Sequence, residues 1–131
     1  MIEVAMVFSS EGGAIWWPTP KGNGGSIPDS RHLWDVIWDN REHLGGVAHT
    51  HPWNGEAYPS ITDVTTYRAI EAGIGKPLLW PIVTFLEVGY FVHNPLTKEF
   101  VRAQTAFEGK AEWDRIIKEM RRLSQEGDQN G

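Results

Sequence analysis

The strongest chemical signal in this chain is a pair of histidines separated by one residue. His49 and His51 lie in a short predicted strand, where side chains two residues apart point to the same face. Ser60 and Asp63 follow after a loop of eight residues, at the predicted start of a helix. Two neutral imidazoles and one carboxylate are the ligand types of a catalytic zinc ion, which keeps a fourth position for water. Zinc lowers the pKa of such water towards about 7, so the pattern predicts a hydrolytic metal site.

The Ser60–Asp63 pair also has a purely structural interpretation. A serine followed three residues later by an acidic residue is a variant of the capping box, in which Ser60 accepts a hydrogen bond from a backbone N–H. Asp63 is favoured there by the positive end of the helix dipole. The two interpretations are compatible, because Ser60 can cap the helix and still face the site.

The motif His-Thr-His-Pro at His49, followed by Ser60-x-x-Asp63, resembles the zinc motif of the JAMM (MPN+) metalloprotease family. The order of the predicted elements is also similar over residues 1–102, although only the motif itself is specific. The resemblance implies an MPN-like, cytidine-deaminase-like fold with one zinc ion per chain, bound by His49, His51 and Asp63. It also implies that Ser60 hydrogen-bonds the zinc-bound water or the oxyanion formed at the substrate carbonyl.

The JAMM resemblance further implies a glutamate on an early strand that acts as general base. Glu3 is the candidate, because its side chain points away from the apolar residues that alternate along the first predicted strand. Two features depart from the family pattern. The gap between the second histidine and the serine is eight residues rather than about seven, and Met6 stands where the family has a glycine. Glu11 and Glu42 are the alternative candidates for the base.

Hydrophobic periodicity, glycine and proline predict the elements that position these residues. The first helix is expected to begin at Asp29 or Ser30, after a long loop at residues 18–28, and to end at Gly45-Gly46. The predicted strands cover residues 2–9, 14–17, 47–51, 78–86, 88–92 and 99–102, and the helices cover residues 31–44, 60–72 and 113–123. Without a regular βαβ rhythm, this predicts an α+β (mixed α/β) domain with a central, mostly antiparallel sheet flanked by helices.

Length and composition exclude several classes of protein. At 131 residues the chain is expected to form one domain and is too short for a (β/α)8 barrel. We place that domain at residues 1–123 and expect residues 124–131 to be a disordered polar tail. The net charge of −5, without clustered positive charge, argues against a nucleic-acid partner. The absence of cysteine excludes disulfides and thiolate metal sites.

The N-terminal segment and the apolar runs bear on localisation. No basic residue precedes the first apolar stretch, and no run approaches the ~18 apolar residues of a membrane span. We therefore expect a cytoplasmic protein with neither a signal peptide nor a transmembrane segment and without a membrane partner.

The leading functional hypothesis is a zinc-dependent metalloprotease or isopeptidase. Glu3 would take a proton from water and pass it to the leaving amine. The JAMM resemblance implies a protein or peptide substrate with an extended C-terminal tail, such as a ubiquitin-like or sulfur-carrier protein. Four aromatic residues in or beside the two long loops are candidates to wall a groove for that peptide: Trp16, Trp17, Trp53 and Tyr58.

Two other hypotheses stay open. His49-x-His51 followed by Glu56 matches the first metal motif of the cupin barrels, although no second cupin motif is visible around His93. A non-catalytic MPN-fold module that acts as a binding partner or scaffold, for example in a phage-tail-like assembly, would keep the fold without the chemistry. Metal affinity that depends on Glu56 would indicate a cupin, and hydrolysis that depends on Glu3 would argue against a scaffold.

Overall fold

The computed structural model describes residues 2–18 and 31–126, which contain six strands and three helices. The strands are β1 (Ala5–Ser9), β2 (Ala14–Trp16), β3 (Leu44–Thr50), β4 (Trp80–Val83), β5 (Val88–His93) and β6 (Phe100–Ala103). The helices are α1 (Arg31–Asp39), α2 (Ile61–Ile74) and α3 (Ala111–Glu126). Most of the predicted loop 18–28, and the predicted caps Asp29 and Ser30, lie outside the described residues.

The strands form one sheet in the order β2-β1-β3-β4-β5-β6. Every neighbouring pair is antiparallel except β3 and β4, which run parallel. The predicted mixed α/β architecture, with a mostly antiparallel sheet flanked by helices, is confirmed at this level. The described sheet is open, with β2 and β6 at its edges, and it does not close into the barrel that the cupin hypothesis requires.

Two apolar cores lie on opposite faces of the sheet. Alternate residues of β1 go to opposite sides, because successive side chains on a strand point to opposite faces. Ala5 and Val7 join α1 and α2 in one core, while Met6 and Phe8 pack against α3 in the other. The molecule is therefore a three-layer arrangement in which the sheet separates α1 and α2 from α3. Within the described ranges no helix is both long and apolar enough to cross a membrane.

The crossover from β3 through α2 to β4 positions the histidine motif. Parallel neighbours need such a connection, and it returns the chain across one face of the sheet. The helix therefore begins near the end of β3, where the histidines lie. Tyr67 and Ile70 of α2 pack onto the sheet in the same core as Val47 and Ile82, which fixes the helix over the strand.

The predicted end of the first helix is wrong. The helix ends at Asp39, and Gly45-Gly46 lie inside β3 rather than after a helix. These glycines serve close strand approach: a Cβ on Gly46 would lie 1.8 Å from the carbonyl oxygen of Leu79. Glycine can end a helix, and it can also allow two strands to approach closely. The contact with Leu79, which the sequence does not reveal, favours the second role here.

The last helix extends beyond the predicted domain end at residue 123. Helix α3 continues to Glu126, and Ser124 is fully buried. The Ser124 hydroxyl donates to the carbonyl oxygen of Ile2, and the Ile2 N–H donates to the Ser124 carbonyl at 2.9 Å. A polar residue is retained in the core here because it ties the end of the last helix to the chain just before β1. Residues 127–131 lie outside the described residues.

Candidate metal centre

The strand register brings Glu3 and the two histidines to one face of the sheet. Ala5 of β1 pairs with His49 of β3, so the side chains of both point towards the layer of α1 and α2. His51 lies two residues after His49 and directly follows the end of β3. Its backbone N–H donates to the carbonyl oxygen of Val83 at 2.9 Å. Glu3 lies two residues before Ala5. It therefore precedes β1 rather than lying on it as predicted, yet it keeps the side-chain parity that the prediction required.

The N-terminus of α2 delivers Asp63 to the same place. Ser60 caps the helix: its hydroxyl accepts from the Asp63 N–H at 3.0 Å, and its own N–H donates to Asp63 Oδ2 at 2.9 Å. This capping box is the structural interpretation of the motif. The same Oδ2 also lies within 3.3 Å of both imidazole Nε2 atoms, so the cap orients the carboxylate towards the histidines.

Three potential ligand atoms converge in a tight triangle. His49 Nε2 and His51 Nε2 are 3.1 Å apart, and Asp63 Oδ2 lies 3.3 Å from the first and 2.9 Å from the second. Ligands at the usual zinc distance of about 2.0–2.1 Å in a tetrahedron are separated by about 3.3 Å. The spacing of these atoms therefore fits three ligands on one face of a tetrahedral ion.

The electrostatics of the triangle favour the unprotonated forms that a cation requires. Burial lowers the pKa of His49, which is fully buried, so its imidazole is neutral near pH 7. Burial by itself raises the pKa of Asp63, but hydrogen bonds from His49 and His51 hold it well below its ordinary value. A cation bound by all three atoms would replace these hydrogen bonds, with Nε2 of each imidazole presenting its lone pair to the ion.

Glu3 lies beside this triangle. Its Oε1 is 3.8 Å from His51 Nε2, and its side chain is only 12% exposed. Burial and the negative charge of Asp63 raise the pKa of Glu3 to about 8. A divalent cation at the triangle would oppose both effects and favour ionised Glu3, which places a proton acceptor of adjustable basicity at the edge of the site.

Two ligand sets can be drawn from this cluster. Ligand atoms of Glu3, His49 and His51 all lie within 4.8 Å of one another, so this group can hold a metal ion. The set in which Asp63 replaces Glu3 is tighter, with no separation above 3.3 Å. We favour the tighter set for the ion, because its separations match tetrahedral spacing and because its carboxylate is the more acidic of the two.

Buried polar atoms without hydrogen-bond partners are concentrated at this site. Within the described residues they are Glu3 Oε2, His49 Nδ1, His51 Nδ1, Asp63 Oδ1 and the Tyr67 hydroxyl. Tyr67 lies one helical turn after Asp63, its ring is 6.2 Å from that of His49, and it stacks on Trp80 at 4.1 Å. Burial raises the pKa of Tyr67, and the charges of Asp63 and Glu3 raise it further, so its hydroxyl remains protonated.

The loop between His51 and Ser60 is held by an ion-pair clamp made by Glu87, which directly precedes β5, and Arg102 of β6. Glu87 accepts from the Ala57 N–H at 2.5 Å, and Arg102 donates to the Ala57 carbonyl at 2.7 Å and to Glu87 at 2.9 Å. Thr84 adds a hydrogen bond from its hydroxyl to the Gly55 carbonyl at 2.9 Å. The hydrogen bond from Ala57 and the charge of Arg102 lower the pKa of Glu87, so the clamp persists at neutral pH.

Several residues weighed in the sequence lie elsewhere. Glu11 and Glu42 are exposed in turns, and Glu56 is exposed beside Arg102; none of the three joins the metal-capable group among the described residues. His32 stacks on Trp16, and His93 packs on Phe100. Trp16 and Trp17 pack against the two cores, so of the four groove candidates only Trp53 and Tyr58 lie beside the site.

Sequence reasoning missed the supporting residues. Tyr67 had a usable signal, because residues four apart share a helix face and Asp63 already marked that face. Glu87 and Arg102 had none, since they meet Ala57 only through the pairing of β5 with β6.

Comparison with known protein families and with curated proteins finds no match to this chain. The arrangement of the site therefore has to carry the functional argument.

Proposed function

We propose that this chain is a JAMM-type, MPN-fold zinc hydrolase of amide or isopeptide bonds. The observation that carries the proposal is the triangle of His49 Nε2, His51 Nε2 and Asp63 Oδ2, with sides of 2.9–3.3 Å, beside the largely buried carboxyl of Glu3. One zinc ion per chain would be held by these three atoms. Zinc, when bound, supplies Lewis acidity that lowers the pKa of water and polarises a carbonyl.

Glu3 is assigned the proton transfers. Its Oε1 accepts a proton from the attacking water while the water oxygen bonds to the amide carbon. The carbon–nitrogen bond then breaks, and Glu3 returns the proton to the departing nitrogen, so that one amide and one water yield a carboxylic acid and an amine. The partial burial of Glu3 supports this role, because a base shielded from bulk water keeps the proton for the leaving group.

Ser60 is assigned the carbonyl oxygen. Its hydroxyl oxygen is occupied as an acceptor by the Asp63 N–H, which leaves its own O–H free to donate. Ser60 is exposed at the edge of the site, where a substrate carbonyl can approach. A donor fixed by the helix cap is already oriented before substrate arrives, which is the arrangement that stabilises a developing oxyanion. The substrate proposed by family resemblance is the C-terminal tail of a ubiquitin-like or sulfur-carrier protein.

The test separates metal binding from chemistry. We expect purified protein to bind about one zinc per chain, and the zinc-loaded protein to cleave an isopeptide-linked tail peptide, followed by mass spectrometry. Glu3→Gln should retain zinc and lose cleavage by at least about 100-fold, the lower range for general-base catalysis. Failure to bind zinc would overturn the proposal. Cleavage by Glu3→Gln at the wild-type rate would overturn the role of Glu3, and zinc binding without any cleavage would favour the scaffold hypothesis.

A further inference from the structure

An exposed aromatic wall borders the proposed metal centre. The Trp53 ring lies 4.4 Å from the His51 ring and remains 38% exposed, and the Tyr58 ring lies 5.8 Å further along with 55% exposure. Exposed large aromatic side chains are costly to leave in water, and groups of them mark binding surfaces. Trp53 thus contacts a proposed metal ligand directly, and Tyr58 extends the aromatic surface from it.

The wall is preorganised. Trp53 Nε1 donates to the Glu56 carbonyl at 3.2 Å, and the Trp53 carbonyl accepts from Phe85 at 3.0 Å. The clamp of Glu87 and Arg102 holds the loop between the two rings. A ring fixed before binding loses little entropy when a ligand side chain packs on it, so these contacts contribute efficiently to affinity.

The charges around the wall restrict its occupant. Arg102 pairs with Glu87 at 2.9 Å and with Glu56 at 3.8 Å, so two carboxylates share one guanidinium beside the wall, and Glu56 is 75% exposed. An acidic side chain on the ligand would meet this carboxylate, and a glycine would leave the ring faces uncovered. An uncharged apolar side chain fits both the rings and the charge.

We propose that Trp53 and Tyr58 form a specificity subsite for a bulky apolar side chain adjacent to the scissile bond. The inference rests on the proposed function, and it narrows the substrate class from any flexible tail to a segment with an aromatic or large aliphatic residue at that position.

Hydroxamates test the subsite without requiring turnover. The zinc-loaded protein is titrated calorimetrically with N-acyl-phenylalanine hydroxamate and N-acylglycine hydroxamate, and with benzylsuccinyl and succinyl hydroxamates, which place the benzyl group on the other side of the zinc-binding group. We expect the benzyl member of at least one pair to bind about tenfold tighter. Trp53→Ala and Tyr58→Ala should each reduce that ratio. Trp38→Ala removes a tryptophan of similar exposure, 42%, on α1 and should leave it unchanged.

The outcomes separate the two proposals. If the hydroxamates bind but no pair distinguishes benzyl from hydrogen, the subsite is wrong and the metal centre survives. A benzyl preference that persists in both Trp53→Ala and Tyr58→Ala also overturns the subsite. If no hydroxamate binds to zinc-loaded protein, the proposed function fails and the subsite falls with it. Zinc content measured for each variant confirms that the loop substitutions leave the ligands intact.

Discussion

The two faces of the sheet treat buried polar groups in opposite ways. On the α3 face, Trp113 Nε1 donates to the Tyr90 hydroxyl at 2.8 Å, and Ser124 is hydrogen-bonded to Ile2. On the face of α1 and α2, every buried polar atom found without a partner in the described residues belongs to the cluster around His49 and His51. One face is satisfied by its own groups, and the other is left incomplete at a single place.

This difference separates stability from function. An unpaired buried polar atom costs about 1–3 kcal/mol, so several in one place are a local destabilisation that the rest of the fold must offset. The α3 face offsets it with aromatic packing: the Trp113 ring lies 5.2 Å from those of both Phe8 and Phe107. Polar groups that are unsatisfied in the protein alone are expected where a ligand completes them.

The largest effect on zinc affinity should come from removing the negative charge of Asp63 in the cluster around His49 and His51. Asp63→Asn keeps a side-chain oxygen that can accept from the Ser60 N–H, as an amide does at this third position of a capping box. It loses the anionic ligand, and we expect zinc affinity to fall by at least about 100-fold, at or beyond the 10–100-fold typical of losing an outer-shell partner. Competition with a chromophoric chelator measures it. Asp114→Asn, at an exposed acidic residue in the first turn of α3, is the matched control and should bind zinc normally.

Substitutions on the α3 face should change the free energy of unfolding rather than zinc affinity. Trp113→Ala removes a 2% exposed ring together with its hydrogen bond to Tyr90, and we expect a loss of about 3–5 kcal/mol in the free energy of unfolding. Trp38→Ala removes a half-exposed ring that stacks on Trp34 and contacts the Arg41 guanidinium, and should cost less, about 1 kcal/mol. Urea denaturation measures both. Equal losses in the two variants would contradict the division of roles between buried and exposed tryptophans.

The elements were largely predictable from sequence, because each core face carries its own periodicity. Alternation along β1 and the three-and-four spacing in α3 depend on local pattern, and both elements were found. The end of α1 was not, because Gly46 is explained by the carbonyl of Leu79, a residue that lies far away along the chain. A stop signal of this kind is ambiguous until the strand partner is known.

The candidate site divides in the same way. His49, His51 and Asp63 were predicted from spacing, because a strand end and a helix start impose directions that sequence reveals. Glu3 was predicted from the family resemblance together with its side-chain parity, although β1 begins later than expected. The clamp made by Glu87 and Arg102 could not be predicted from sequence. The pairing of β5 with β6 brings these residues to the loop, and no local motif encodes that pairing.

The raised pKa of Glu3 predicts a stability change with a defined sign. A carboxyl whose pKa is about 8 when folded and about 4.5 when unfolded stabilises the fold below pH 4.5, and this contribution is lost as the pH rises to 8. In metal-free protein, the stability of Glu3→Gln relative to wild type should therefore rise by about 4 kcal/mol between pH 4.5 and pH 8.5. Urea denaturation in chelator at pH 4.5 and pH 8.5 measures it. A relative stability of Glu3→Gln that does not change between the two pH values would contradict the burial of an ionisable group at this edge.

Two tyrosines give the smallest and most direct comparison of the faces. Tyr67 and Tyr90 are both buried, and each loses only its hydroxyl on replacement by phenylalanine. Tyr90→Phe strands the Trp113 N–H, because that hydroxyl is its acceptor, and we expect a cost of about 1–3 kcal/mol. Tyr67→Phe removes a hydroxyl that has no partner, so metal-free stability should stay within about 0.5 kcal/mol of wild type or rise.

The same pair of variants then reports on function. If the Tyr67 hydroxyl serves the carboxylates beside it, Tyr67→Phe should alter the visible spectrum of the cobalt-substituted protein while Tyr90→Phe leaves that spectrum unchanged. Both variants keep an aromatic ring in place, so a difference between them reflects the hydroxyl alone. A Tyr67→Phe variant that loses as much stability as Tyr90→Phe would show that its hydroxyl is satisfied within the protein, and the contrast between the two faces would lose one of its five supporting atoms.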